Sequence, residues 1–208
     1  MARSELTRQS ELARQLEATR NEHVINLPAP DYDADDLLVV REPEQLRALG
    51  DDLRARIVVL LRERAQSVTE LAEALELAKG TVAHHVKVLE KVGLVRVVRT
   101  RKVRALTERY YGRTARLFIF KGSDEADGED VRNVAAASLR SAAEEILPGD
   151  FDDRTTFAVL RKRLSDADAR RFNRRLERLQ QDVLKTKDDP EGEPYGLAIA
   201  LYRRAPDA

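Results

Sequence analysis

Apolar residues recur at three- and four-residue intervals through the first half of the chain, the period of helices with one buried face. In DLRARIVVLLRER the stripe is Leu53, Ile57, Leu60 and Leu61, opened by Asp51 and Asp52 at a helix start. A shorter helix precedes it, with Pro43 in its first turn and Gly50 at its close. Leu71, Ala72, Ala74 and Leu75 mark the buried face of a third helix, over 69–75. Ser67 or Thr69 can cap it, and Thr69 is the attractive choice because its hydroxyl reaches the first-turn N–H groups. A turn at 76–78 follows, with Leu77 as its apolar anchor. Val82, Val86 and Leu89 then define the inner face of a helix over 79–92, and Gly93 supplies a left-handed stop.

The pattern then changes to β. Leu94, Val95, Val97 and Val98 begin a strand, Thr100-Arg101-Lys102 forms the hairpin tip, and Val103 to Tyr111 returns. RTARLFIF (113–120) reads as a further strand. After the acidic loop 122–130, residues 131–147 form a helix whose packing face is Val131, Ala135, Leu139, Ala142 and Ile146. TTFAVLRK (155–162) and YGLAIALY (195–202) are β-like and can share a sheet with 113–120. Between them Ser165 and Asp168 start a helix to about Lys185, with Phe172, Leu176, Leu179 and Val183 spaced four, three and four apart. At the other end, residues 4–20 give a thinly amphipathic helix or frayed arm. LPAPDYDADD (27–36), with two prolines and four acids, reads as a linker, and LLVV (37–40) as a short strand. The class is α+β in three parts: an arm and linker (1–36), a helix-turn-helix with a β wing (37–112), and a C-terminal α+β module (113–208) for dimerisation or effector binding.

Composition narrows the chemistry. There is no Cys, so disulfides and thiolate metal sites are excluded. No apolar run is long enough for a membrane span and the first residues lack a signal-peptide core, so a cytoplasmic protein with no membrane partner is expected. The formal net charge is zero, which taken whole argues against a nucleic-acid partner. The average hides a segregation: residues 79–121 hold twelve Lys and Arg against Glu90 and Glu108. Phosphates feel the local field, so this cluster is a candidate nucleic-acid surface; the plainer alternative is a solvated charged face.

The helix pair and wing carry that candidate further. A second helix entering a major groove would present Lys79, Gly80, Thr81, Ala83, His84 and Lys87. Lys79 can reach a guanine edge or a phosphate, Ala83 a thymine methyl, and His84 a base acceptor or phosphate. Thr81 and the helix-start N–H groups can hold a phosphate. Thr69 completes the set on the first helix, and Arg99, Arg101, Lys102 and Arg104 on the wing suit phosphates or a narrow minor groove. Catalytic motifs are missing: there is no G-x-S-x-G, Gly-rich phosphate loop or H-E-x-x-H, so no enzyme, cofactor or catalytic residue is expected. Of three histidines, His84 and His85 sit on the second helix and His23 is remote, a poor metal set.

The run LAEALELAKGTVAHHVKVLEKVGLVRVVRTRKVRALTERYYGRTAR resembles the ArsR-type (arsenic-repressor-like) winged-helix transcriptional regulators. The likeness lies in Leu71-Ala72…Leu75, in Thr81-Val82-Ala83-His84-His85-Val86…Leu89, and in Gly93-Leu94-Val95, with LRALGDDLRARIVVLL resembling the family's opening helices. It covers roughly residues 43–112. The resemblance implies a homodimeric regulator on double-stranded DNA, with Lys79, Gly80, Ala83 and His84 at base-reading positions. The missing cysteines depart from the family's thiolate sensors, and the C-terminal segment exceeds its smallest members. Two other functions stay open. One is a sensor whose C-terminal module takes an apolar small-molecule effector among Phe118, Phe120, Phe157, Phe172 and Tyr195. The other is a winged helix that binds protein and no DNA.

Overall fold

The four apolar stripes of the first half fold as helices around one core. The computed structural model describes residues 27, 29–103, 106–120, 128–146 and 154–204. In it β1 (Asp35–Val40) leads to α1 (Pro43–Leu49) and α2 (Asp52–Leu60). A two-residue strand β2 (Gln66–Ser67) precedes α3 (Val68–Ala74) and α4 (Lys79–Lys91). The hairpin β3 (Val95–Val103) and β4 (Leu106–Arg113) follows, then β5 (Ala115–Phe120), α5 (Gly128–Glu144) and α6 (Asp166–Lys185). The core is Leu46, Leu49, Ile57, Leu61, Leu71, Leu75, Val82, Val86, Leu89, Leu94 and Val95, all buried. Most of the stripe residues named from periodicity are therefore the ones inside; Leu53 and Leu60 only border the core, and Ala74 is exposed.

Two small sheets flank these helices. The antiparallel sheet has the order β2-β4-β3, and the second is a parallel pair, β1 with β5. Val39 lies opposite Ile119 and Val40 opposite Phe120. The pair joins residues on either side of the boundaries drawn at 36/37 and 112/113. Residues 27–36 are correspondingly no free linker. The Asp31 amide donates to the Glu63 carbonyl at 2.9 Å, and the Asp35 amide to Thr114 at 3.0 Å. The Tyr32 hydroxyl donates to the Leu61 carbonyl and accepts from the Arg113 amide at 3.0 Å. Burial raises the Tyr32 pKa, which keeps that donor protonated. Gly112 makes room for the ring: a Cβ there would come within 2.6 Å of it.

Helix α5 also belongs to this assembly. It lies against α1 and α2 with Val134, Ala137 and Ser141 buried. The face expected to pack is turned outward, with Val131, Leu139 and Ile146 exposed. The small side chains on the inner face permit close approach, so near that a Cβ on Gly50 would stand 3.0 Å from that of Asn133. Ion pairs line the seam, Arg140 with Asp52 at 2.6 Å, Arg62 with Glu145 at 3.3 Å and Arg56 with Glu144 at 3.5 Å. These pairs are about half exposed and accompany the packing of a second stripe, Val134, Ala137 and Ser141, spaced three and four apart.

The expected C-terminal sheet does not form. β5 is taken by β1, and residues 155–162 and 195–202 contain no paired strand. Helix α6 forms as expected, with the Ser165 hydroxyl accepting from the Asp168 amide at 3.1 Å, and no residue of it is buried. Residues 4–20 lie outside the described residues.

Candidate nucleic-acid interface

Helices α3 and α4 stand at the angle set by the turn between them. The start of α3 is closed by a reciprocal cap: Ser67 accepts from the Glu70 amide at 3.3 Å, and Glu70 accepts from the Ser67 amide at 2.7 Å. Ser67, and not Thr69, is therefore the cap; Thr69 sits half-buried inside the helix. The same Ser lies in β2 opposite Tyr110, so the cap also ties the helix pair to the wing.

The turn departs from its expected anchor. Leu77 is 39% exposed, and Leu75 fills the core instead. The helix ends through Glu76 at φ 54, with the Leu77 amide bonded to Ala72 at 3.0 Å and the Glu76 amide to Glu73 at 3.2 Å. That is a left-handed helix stop in which a glutamate occupies a glycine position. The end of α4 repeats the motif with Gly93 at φ 74, and the Leu94 amide reaching Leu89 at 3.0 Å. Nothing in the sequence around Glu76 signals the left-handed residue, whereas Gly93 announces it.

Helix α4 buries Val82, Val86 and Leu89 and turns its other face to solvent. Lys79, Gly80, Thr81, His84 and Lys87 are exposed together, with Ala83 half-buried among them. Its start differs from that of α3. Ala78 is the N-cap and offers no side-chain acceptor. No atom lies within 4 Å of the space a Gly80 Cβ would fill, so the backbone there is open to an approaching group. An uncapped helix start with a lysine beside it favours an anion. The helix is held from behind. Gln45 Nε2 donates to the Val92 carbonyl at 3.1 Å, and His85 Nδ1 lies 3.6 Å from Asp51 Oδ1. Burial lowers the His85 pKa, against the pull of Asp51.

The wing is longer than expected. Residues 100–102 lie inside β3 and not at the tip; Arg101 stands opposite Glu108 and Lys102 opposite Thr107. The pairing runs out to Val103 opposite Leu106, and Arg104 lies outside the described residues. A register shift between Val97 and Arg99 reverses the alternation of β3. Arg96, Arg99 and Arg101 consequently share the face of Gly112, Tyr110 and Glu108. A bulge-free strand would put Arg96 and Arg99 on opposite faces.

That face is already engaged. Arg99 Nη1 lies 3.3 Å from Asp31 Oδ2, and its guanidinium sits 4.7 Å over the Tyr110 ring. Arg96 donates to the Asp33 carbonyl at 3.0 Å, and Arg116 pairs with Asp36. The acidic stretch thus lies on two wing bases, Arg96 and Arg99, and on Arg116 of β5, contacts absent from the reading of 27–36 as a linker. Their signal was available: four acids in that stretch and an acid-poor basic run after it. Arg113, buried below, has its guanidinium 4.3 Å over Phe118, and burial pulls its pKa down to about 10.

The five aromatics proposed to line an effector site do not converge. Phe157 and Tyr195 are 74% and 61% exposed, and Phe118 lies against Arg113. An open cavity of about 280 Å³ lies elsewhere, between α2, α5 and Leu77. Among the described residues, no group of His, Asp and Glu is placed to hold a metal, and no helix is long and apolar enough to cross a membrane.

Residues 51–97 match the family described as bacterial regulatory protein, arsR family. The HTH-type transcriptional repressor SmtB of two Mycobacterium tuberculosis strains is 42% identical over 52 residues. That stretch is 25% of this chain and 38% of the relative, so the chain spans well under half the length of the relatives it matches. Those relatives are described as transcriptional repressors. Among solved structures, reduced HlyU from Vibrio cholerae N16961 is 23% identical, with 50% of this chain and 87% of that one covered and a TM-score of 0.31. A homodimeric winged helix-turn-helix domain from Mycobacterium bovis is 22% identical, with 52% and 84% covered and a TM-score of 0.31. The match to the arsR family model thus runs from the start of α2 through the helix pair into β3.

Proposed function

We propose, from the match of residues 51–97 to the bacterial arsR regulatory family, that this protein is a sequence-specific DNA-binding transcriptional regulator. It acts as a homodimer on an inverted-repeat operator. The observation that carries the reading is the outward face of α4: an uncapped helix start, Lys79 beside it, and an unobstructed backbone at Gly80. In this reading Lys79, Ala83 and His84 meet base edges, while Gly80, Thr81 and the first-turn N–H groups seat a phosphate. Lys87 and Thr69 border the groove and bind backbone. Arg99, Arg101, Lys102 and Arg104 supply the sequence-independent attraction and its salt dependence. A two-fold dimer would set its two α4 helices into successive major grooves, ~34–36 Å apart.

Selection of duplexes from a random pool by the purified full chain, at two salt concentrations, tests this. A two-fold symmetric motif, lost in the Lys79→Ala/His84→Ala variant, is the expected result. Retention without any motif would reduce the protein to a non-specific basic surface. No retention at low salt would remove DNA as the partner.

A further inference from the structure

Helix α6 is built to be covered and is not covered. None of its residues is buried. Leu179 is 44% and Val183 49% exposed, and Phe172 and Leu176 are only half-buried. Exposed apolar side chains flank it on both sides, among them Phe157 and Leu160 before the helix and Tyr195 and Tyr202 after it. Twenty residues make a helix of about 30 Å, enough for several layers of side-chain packing. The spacing of Ala169, Phe172, Leu176, Leu179 and Val183 alternates three and four, the seam of a two-helix coil.

We propose that α6 pairs antiparallel with α6 of a second copy of this chain, a surface that rests on the homodimer reading above. The charges beside the seam choose the occupant and its direction. In the antiparallel register, Leu176 packs on Leu179 of the partner subunit and Phe172 on Val183 of the partner subunit. Arg175 and Asp182 flank the seam on one side, Asn173 and Gln180 on the other. Arg175 then faces Asp182 of the partner subunit, and two-fold symmetry repeats the pair. Asn173 faces Gln180 of the partner subunit, two amides that can hydrogen-bond. In the parallel register Arg175 would meet Gln180 and Asp168 would meet Asn173, leaving no ion pair along the helix. Both Arg175 and Asp182 are exposed and are free to make these contacts. A single helix pair falls short of the roughly 1,200 Å² of a stable interface, and the flanking apolar segments 155–160 and 195–202 supply the remainder.

The test is a charge exchange read by light scattering on the eluting full chain, over a dilution series into the nanomolar range. Arg175→Asp and Asp182→Arg each place like charges across both symmetric positions, and each is expected to raise the dimer dissociation constant at least tenfold. The double variant Arg175→Asp/Asp182→Arg restores opposite charges and is expected to return to within about threefold of the parent. Helix content by circular dichroism should be equal in all four proteins. A dimeric parent whose mass is unmoved by either single change would overturn the surface while leaving the homodimer standing. Weakening without restoration in the double variant would likewise overturn the antiparallel register. A monomeric parent would overturn both the surface and the homodimer, and leave DNA selection as the separate arbiter of the DNA reading.

Discussion

Replacing Asp31 with Asn removes one negative charge from the wing and little else. The carboxylate has two partners: Oδ1 accepts from the Ala65 amide at 2.6 Å, and Oδ2 faces Arg99 at 3.3 Å. The Asn carbonyl oxygen retains the first bond, so the segment stays docked through it and through Tyr32. The second interaction is an ion pair with both side chains about half exposed, 50% for Arg99 and 42% for Asp31. Such pairs contribute about 0.2–1 kcal/mol. A phosphate approaching Arg99 must displace Asp31, so the variant should bind non-specific duplex about 1.4- to fivefold more tightly at 0.1 M salt. Freeing one cation for one phosphate should also steepen the fall of log K with log salt by about 0.9. Fluorescence anisotropy with a labelled random duplex, at four salt concentrations, measures both quantities. Unchanged affinity and unchanged slope, in a protein with unchanged thermal midpoint, would refute the idea that the acidic segment competes with DNA for the wing. Asp33→Asn is the comparison. Arg96 reaches the Asp33 main-chain carbonyl at 3.0 Å and its carboxylate only at 3.5 Å, so the slope should change less.

Ser67→Ala should lower stability by about 1 kcal/mol in urea unfolding, because it opens the cap on α3, whereas Thr69→Ala should cost less. Glu76→Gly should be neutral or stabilising by up to about 1 kcal/mol, because it relieves a left-handed glutamate at the helix stop; a clear loss would show that the residue is held there by something other than tolerance. Gly112→Ala should eject the Tyr32 ring and expose the bond between Asp35 and Thr114 to exchange, visible as lost amide protection at residue 35. His85 has a folded pKa below its unfolded value of about 6.5, chiefly through burial, so it is stabilising when neutral. Its contribution is present above the unfolded pKa and is lost as pH falls through 6.5 toward the folded value. Unfolding free energy should drop between pH 7.5 and 5.5 by less in His85→Gln than in the parent.

What was legible in the sequence was local. Val82, Val86 and Leu89 announce the buried face of α4 because one helix decides it, and Gly93 announces its stop because no other residue adopts that backbone so readily. Ser165 with Asp168 fixes the start of α6 for the same reason. The misreadings are tertiary. Leu77 lies at the turn, but Leu75 is the side chain that reaches the core. The bulge between Val97 and Arg99 has no sequence signature in a run of Val and Arg. Helix α5 carries a second stripe, Val134, Ala137 and Ser141, and it is this one that meets α1 and α2, a tertiary choice that the first stripe does not contain. The segments 155–162 and 195–202 have the composition of strands and pair with no strand among the described residues. The outward set on α4 was readable as a group, whereas the acids covering Arg96 and Arg99 required knowing where residues 31–33 come to rest.

The parallel pair of β1 and β5 has a consequence for the order in which the chain acquires its structure. Its partners Asp36 and Arg116 are separated by 80 residues, all of the helix-turn-helix and wing between them. Closing a free loop of that length costs about 4 kcal/mol in chain entropy, more than two short strands recover alone. The enclosed helices must therefore condense first and bring the two ends together, and the pair closes last. On a ribosome, β1 leaves the tunnel long before β5 has been made. Throughout that interval the acidic segment beside it has no wing to lie on, and the latch that joins the two edges of the domain becomes a signal that everything between them has already folded.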